Sequence, residues 1–146
     1  MKKFKFKLNK VLEVRQIEED QAQNNLVEAQ HKAKEIENEI YRLEEVQSDL
    51  YQRIRSVEDM SLEESMAYRE YMQTNRYYIQ RTEKNLKSQE KEVENFREHY
   101  LEKRKKREIL EKIKEKNYKS YYKEVLHKEQ KVLDELGLRA QGLKGV

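Results

Sequence analysis

The fold is decided by residues 8–57, which read LNKVLEVRQIEEDQAQNNLVEAQHKAKEIENEIYRLEEVQSDLYQRIRSV. Steps of four and three residues, alternating strictly from Leu8, reach fifteen positions, and twelve of these are apolar. This first heptad seam comprises Leu8, Leu12, Arg15, Glu19, Ala22, Leu26, Ala29, Ala33, Ile36, Ile40, Leu43, Gln47, Leu50, Ile54 and Val57. A period held this long predicts a coiled-coil helix that needs a partner helix.

The composition favours long, uninterrupted helices. The chain has 146 residues, which predicts one domain, and 42% of them are charged. It lacks Pro, Cys and Trp, and its three glycines lie within the last ten residues, so turn residues are scarce. Without cysteine there is no disulfide framework, which fits an intracellular protein. We find neither a signal-peptide apolar run in residues 1–10 nor a segment apolar enough to span a membrane.

A second heptad seam follows a break at residues 58–61. Ser61 and Glu64 have the spacing of a capping box, which predicts the start of another helix. The second seam comprises Ser65, Tyr68, Met72, Asn75, Ile79, Thr82, Leu86, Gln89, Val93, Phe96 and Tyr100. Antiparallel folding about Ser61 places Gln47 opposite Asn75 and Glu19 opposite Lys103.

Charge also favours this pairing, because residues 11–65 carry a net charge of −9 and residues 66–146 a net charge of +7. In the same register Arg15 faces Arg107, which is unfavourable unless Glu18, Glu19 or Glu108 intervenes.

We therefore predict an all-α fold: a long antiparallel two-helix coiled-coil hairpin whose second helix overhangs the first. It forms a single domain over residues 1–146, with helix one at about 8–57, a turn at about 58–62 and helix two at about 62–136. Residues 3–8 are expected to form either an irregular first turn of helix one, or a short strand, or a non-helical segment before an N-cap at Asn9. Gly137 is expected to end helix two and leave a loose tail, 137–146. The overhang carries an apolar stripe without a partner: Tyr118, Tyr121, Tyr122, Val125, Leu126, Val132, Leu133 and Leu136.

No catalytic constellation is present, so we expect neither an enzyme nor a cofactor, metal, nucleic-acid or small-molecule partner. His31 and Glu35 could bind a metal weakly, but such spacings arise by chance in a glutamate-rich helix. The basic run Lys103, Arg104, Lys105, Lys106 and Arg107 indicates an acidic partner surface, nucleic acid or a solvated face opposite the acidic first helix, and the glutamates that resume at Glu108 argue against nucleic acid. Tyr68, Tyr71, Tyr77 and Tyr78 cluster near the turn, and we expect Tyr71 and Tyr78 to form an exposed docking stripe.

The opening Phe4-Lys5-Phe6-Lys7-Leu8-Asn9-Lys10-Val11-Leu12-Glu13-Val14-Arg15 resembles the flagellar export protein family FliJ. Glu18-Glu19, the alanine-spaced seam and the tyrosine-rich start of helix two extend the resemblance over most of the chain. It implies a non-enzymatic antiparallel coiled coil, similar to the central stalk of rotary ATP synthases. It also implies a cytoplasmic protein, held at the inner membrane through its partners.

The partners implied by this resemblance are the hexameric export ATPase FliI, the cytoplasmic region of the export gate FlhA, and export chaperones. The half with both termini would enter the ATPase ring, and the half with the turn would face the gate. The expected gate-binding residues are Leu43, Val46, Leu50, Tyr71, Asn75 and Tyr78. The expected ATPase-binding residues are Phe4, Phe6, Lys103, Arg104, Lys105, Lys106, Arg107, Tyr118, Tyr121 and Tyr122.

Two other readings remain open. One is a structural coiled coil that self-associates through the stripe from Tyr118 to Leu136. The other is a helical-hairpin chaperone, although the acidic, mostly polar turn Glu58-Asp59-Met60-Ser61 suits unfolded clients poorly.

Overall fold

The computed structural model describes residues 2–144 and contains two long helices. Helix α1 runs over Asn9–Ser56 and α2 over Leu62–Lys144, with 48 and 83 residues. The described residues contain no strand, and the helices pack against each other, so the predicted all-α class is confirmed. Contacts group the chain into two units. The turn unit is Asp20–Leu101, and the terminal unit combines the chain up to Glu19 with the chain from Glu102. The single-domain organisation stays a prediction.

The two heptad seams form the core of the turn unit. Every predicted seam position from Ala22 to Ile54, and from Ser65 to Tyr100, is buried or half-buried. The most buried apolar members are Ala22, Leu26, Ala29, Ile40 and Met72. Burial at this spacing confirms the heptad assignment for both helices, since a seam shifted by one residue would expose these side chains.

A buried polar layer fixes the register of the turn unit. Asn75 Nδ2 donates hydrogen bonds to Gln47 Oε1 at 2.8 Å and to the Leu43 carbonyl at 2.9 Å. The predicted pairing of Gln47 with Asn75 is therefore confirmed. Gln89 Nε2 makes a second cross-helix bond, to the Ala29 carbonyl at 3.0 Å. Sliding either helix by one turn would leave these buried amides without partners, which is costly.

The turn between the helices comprises residues 57–61. The Val57 N–H donates to the Arg53 carbonyl at 3.3 Å, which closes the last turn of α1. The Glu64 N–H donates to Ser61 Oγ at 3.1 Å, and the Ser65 N–H to the Ser61 carbonyl at 2.9 Å. Ser61 is therefore the N-cap of α2, as its spacing from Glu64 predicted.

The terminal unit differs from expectation at the start of the chain. Residues 2–8, here called the N-terminal strap, are not helical, and α1 begins at Asn9. The Phe4 ring contacts the rings of Tyr118 and Tyr121, with centroids 5.3 and 5.5 Å apart. The Tyr121 hydroxyl donates to the Lys2 carbonyl, and Phe6 is buried. The expectation that Tyr118 and Tyr121 lack a partner is therefore wrong, because the Phe4 ring of the strap contacts both.

The remaining stripe on α2 is exposed, as predicted. Tyr122, Leu126, Val132, Leu133 and Leu136 are about half exposed or more, whereas Val125 is half-buried. These side chains follow the helical period beyond the strap contact. They leave an apolar face within the terminal unit that the described part of the chain does not cover.

The end of α2 also differs from expectation, because the helix continues through Gly137 to Lys144. Neither Gly137 nor Gly142 has a positive φ, so neither forms a left-handed cap. One glycine inside a helix costs only about 1 kcal/mol relative to alanine, which good neighbouring helix formers can offset. Residues 145 and 146 of the predicted loose tail lie outside the described residues.

Replacing Gly137 with alanine should strengthen this part of α2. An added Cβ would meet no atom within 4 Å, so the methyl group brings no clash. Helix propensity predicts a gain of about 0.5–1 kcal/mol in local stability. Hydrogen exchange should show slower exchange of amides around Gly137 and no change in the turn unit. Equal or faster exchange there would contradict a continuous helix.

Candidate partner-binding sites

Three of the expected gate-binding residues lie together in the turn unit. Val46 and Leu50 of α1 and Tyr71 of α2 line an open groove of about 500 Å³, together with Tyr68. Tyr71 is 55% exposed, and Val46 and Leu50 are half-buried. The groove thus presents an apolar floor to solvent and one exposed phenol that can donate or accept a hydrogen bond.

The rim of this groove was missed by sequence reasoning. It is formed by Asp49 and Arg53 of α1 and by Glu64 and Ala67 of α2. Heptad counting could have found it. Val46 and Arg53 lie on one side of the first seam, and Glu64 and Tyr71 lie on the corresponding side of the second seam. In an antiparallel pair these flanking positions meet.

The other expected gate-binding residues have different positions. Asn75 is only 6% exposed and is held by Gln47 and Leu43, so it sets the helix register. Leu43 is a half-buried seam residue. Tyr78 is 49% exposed, and its ring lies edge-on to Tyr77 with centroids 5.8 Å apart. The exposed candidates are therefore the groove and Tyr78, which lies two helical turns from Tyr71 on α2.

The basic run in the terminal unit is largely paired with carboxylates of the same chain. Lys103 Nζ lies 3.5 Å from Glu18, Arg104 Nε 2.9 Å from Glu108, and Lys106 Nζ 3.4 Å from Glu102. Arg107 pairs with Glu19 and Glu111. Within residues 2–144 only Lys105 of the five has no ion pair. The geometry thus favours the solvated-face reading, and a partner-binding role for the run stays a prediction.

Arg107 is the centre of a half-buried ion pair. Its guanidinium donates two hydrogen bonds to Glu19, from Nε to Oε2 and from Nη2 to Oε1, and the Nη2 bond is 3.3 Å long. It donates a third hydrogen bond from Nη1 to Glu111 Oε2 at 2.6 Å. The hydrogen bonds that Arg107 donates to Glu19 are the main cause that raises the pKa of Arg107 above its ordinary value. The expected charge pair of Glu19 with Lys103 is replaced by two others, since Glu19 pairs with Arg107 and Lys103 pairs with Glu18. The same contact resolves the predicted clash of Arg15 with Arg107.

Glu18 joins the two helices beside this pair. Its Oε2 accepts a hydrogen bond from Arg15 Nη1 at 3.1 Å and lies 3.5 Å from Lys103 Nζ. The hydrogen bond from Arg15, followed by the charges of Lys103 and Arg15, lowers the pKa of Glu18 below its ordinary value. The carboxylate is therefore favoured in the folded chain.

Glu18 should make stability depend on acid pH. Because its folded pKa is lowered, its contribution is present above the ordinary carboxylate pKa and is lost as pH falls through the folded pKa. Glu18→Gln should lower Tm at neutral pH, and its difference from the wild type should shrink as the pH falls below the ordinary carboxylate pKa. A Tm series against pH tests this, with exposed Glu28→Gln as the control. A Tm deficit that persists unchanged at acid pH would contradict the ion-pair account.

The aromatic residues expected at the ATPase contact have mixed exposure. Phe6 is buried and Phe4 half-buried, and both belong to the strap. Tyr121 is half-buried beneath Phe4, whereas Tyr118 and Tyr122 are 50% and 53% exposed. Phe4 thus holds the strap on α2, and Tyr118 and Tyr122 remain open to a partner.

The strap also forms a groove that sequence reasoning did not single out. Phe4, Phe6 and four lysines, Lys5, Lys7, Lys10 and Lys114, line a volume of about 500 Å³. Lys114 Nζ donates to Asn9 Oδ1 at 3.4 Å, which joins α2 to the start of α1. The available signal was the run of five lysines without an acid in residues 1–10.

The described residues show neither a metal cluster nor a membrane span. Residues 2–144 bring no three or more His, Cys, Asp or Glu side chains together for a metal ion. His31 Nε2 lies 3.2 Å from Glu35 Oε1, and both side chains are exposed. Neither α1 nor α2 has a stretch apolar and long enough to cross a bilayer.

Comparison with known proteins identifies a family. No curated protein and no solved structure matches the chain. The family model described as "Flagellar FliJ protein" matches residues 4–145, which include most of the strap, both helices and the turn. This confirms the resemblance drawn from the opening motif. The chain belongs to the flagellar FliJ protein family and is a component of flagellar export.

Proposed function

We propose that this chain is a non-catalytic coiled-coil adaptor of the flagellar export apparatus, with one partner site in each unit. The terminal unit binds the hexameric export ATPase FliI and promotes its ring, and the turn unit binds the export gate FlhA. Export chaperones are further partners, and the apparatus holds the chain at the cytoplasmic face of the inner membrane. Family membership indicates the export apparatus, and the exposed groove at Val46, Leu50 and Tyr71 is the observation that supports a docking site.

The ATPase contact is supported by the exposed side chains of the terminal unit. Tyr118 and Tyr122 are half exposed beside the strap, and α2 continues with an exposed apolar face. Exposed aromatic groups of this kind are common anchors in protein interfaces. The strap adds Lys5 and Lys7, which form no ion pair within residues 2–144, to the same unit.

Titration of the chain into the export ATPase of its own organism tests this contact. ATP hydrolysis and ring formation should rise together and saturate at one chain per ring. Tyr118→Ser with Tyr122→Ser should weaken the stimulation, whereas Tyr41→Ser, an exposed change in the turn unit, should not. A chain that binds no ATPase at any ratio would refute the stalk role.

The gate contact is tested at the groove. Val46→Asp places a carboxylate on the apolar floor, and Tyr71→Ser removes the exposed ring. The double variant should bind the cytoplasmic region of the gate at least about tenfold more weakly, because central aromatic contacts dominate interface energies. Val27→Asp, an exposed change elsewhere on α1, is the matched control. Equal gate affinity of the groove variant and the control would remove the groove from the interface.

A second function is favoured by the exposed stripe on α2. Leu126, Val132, Leu133 and Leu136 could pair with a second copy and make a structural oligomer. Sedimentation should then give a mass that rises with concentration, and Leu133→Glu should abolish the rise. A monomer over the whole concentration range would exclude self-association as the function.

A further inference from the structure

The lysines at the strap groove differ from most of the basic run in their ion pairing. Four of the five basic side chains at 103–107 already pair with carboxylates of the chain. By contrast, in the described part of the chain no ion pair involves Lys5, Lys7, Lys10 or Lys114. An acidic partner would therefore meet four lysines without an ion pair at the strap groove, whereas binding to most of the basic run requires breaking existing pairs.

The lysines surround a preformed concave surface. Phe4 is held against Tyr118 and Tyr121, and the Tyr121 hydroxyl binds the Lys2 carbonyl, so the strap is anchored at its start. The alternation of Phe and Lys buries Phe6 and exposes Lys5 and Lys7. Lys10 and Lys114 complete the groove from α1 and α2, and none of its lining residues is acidic. Anchoring the backbone reduces the ordering cost of binding.

We propose that this strap groove binds an acidic protein segment that carries carboxylates together with an apolar side chain. The four lysines provide the charge complementarity, and Phe4 and Phe6 provide an apolar wall. A concave site of this size suits a peptide better than a flat bilayer, because the Phe4 ring is engaged with α2 and Phe6 is buried, so neither ring is available to enter lipid. The inference rests on the proposed ATPase contact and assigns the charged residues of that contact.

Binding of a defined peptide tests the inference directly. A fluorescein-labelled peptide that alternates Glu with Leu should bind the full chain, with fluorescence anisotropy as the readout. Binding should weaken sharply between about 0.05 and 0.5 M salt, as expected for exposed charges. The same peptide with Gln in place of Glu should not bind.

Matched variants assign the site. Lys5→Gln with Lys7→Gln and Lys10→Gln should weaken peptide binding about tenfold or more at low salt. The control removes the same charge from exposed lysines of the turn unit, by Lys84→Gln with Lys87→Gln and Lys91→Gln. Circular dichroism checks that both variants keep their helices. Equal loss in both variants would overturn the inference, because the attraction would then be general.

Two further measurements, vesicle binding and ATPase stimulation, distinguish failure of the strap groove from failure of the proposed function. Binding to phosphatidylglycerol vesicles without binding to the Glu-Leu peptide would overturn a protein segment in favour of a lipid surface. Undiminished ATPase stimulation by the strap variant would overturn the strap groove as the ATPase contact while leaving the adaptor role intact. If the wild-type chain stimulates no ATPase but binds the Glu-Leu peptide at the strap lysines, the proposed function fails and the acidic-segment site stands.

Discussion

Replacing Leu26 with alanine is expected to lower the free energy of unfolding by about 2–4 kcal/mol. Leu26 is 9% exposed and belongs to the heptad seam of α1 in the turn unit. Two helices cannot collapse around the missing methyl groups without losing other seam contacts, so part of the cavity remains. Chemical denaturation followed by circular dichroism measures the loss.

The control for this prediction is Val27→Ala, the neighbouring residue on the same helix. Val27 is 55% exposed, so its truncation removes little buried surface. We expect a change within about 0.5 kcal/mol for an exposed site of this kind. Similar losses for Leu26→Ala and Val27→Ala would mean that the seam does not carry the stability of the fold.

Replacing Glu19 with glutamine is expected to destabilise the chain by about 2–3 kcal/mol. The change removes the charge that faces Arg107 but keeps the size of the side chain. Arg107 retains Glu111 at 2.6 Å, so the cost should be smaller than for a fully orphaned charge. The measurement is again the free energy of unfolding, with exposed Glu28→Gln on the same helix as the control.

A double substitution distinguishes ion pairing from packing at this position. Glu19→Leu with Arg107→Met replaces both charges with apolar groups, and such replacements of buried ion pairs are often neutral or stabilising. We expect the double variant to recover most of the stability lost by Glu19→Gln. A double variant that is less stable than the single one would contradict the view that an unpaired Arg107 causes the loss.

The helices and their register could be predicted from sequence because one strong period governs both. The seam repeats without a break from Leu12 to Ile54, and the Gln47–Asn75 pair adds a polar match to the apolar one. Side-chain reach could not be predicted from the same counting. Glu19 lies opposite Lys103 in the ideal register, yet it binds Arg107, one turn further along α2, through two parallel hydrogen bonds. The planar guanidinium favours this geometry over the single ammonium of lysine.

The ends of the chain were harder to predict because local signals there compete with tertiary contacts. Residues 2–8 have no helical period, and their position depends on Tyr118 and Tyr121, more than a hundred residues away. Gly137 resembled a helix stop, but a single glycine is too weak a breaker when helix formers follow. Among the candidate sites, the positions of Tyr71 and Tyr78 beside the seam predicted from sequence that they are exposed. The groove rim and the strap groove were not predicted, because each forms only where separate segments of the chain pack together.

Export of flagellin into the medium, measured in a strain that lacks this chain, tests the central claim of an adaptor most directly. We predict that the wild-type chain restores export and that the groove variant, Val46→Asp with Tyr71→Ser, does not, although it still stimulates the ATPase. The exposed control Val27→Asp should restore export fully. Normal export in the strain without the chain, or full rescue by the groove variant, would contradict the account.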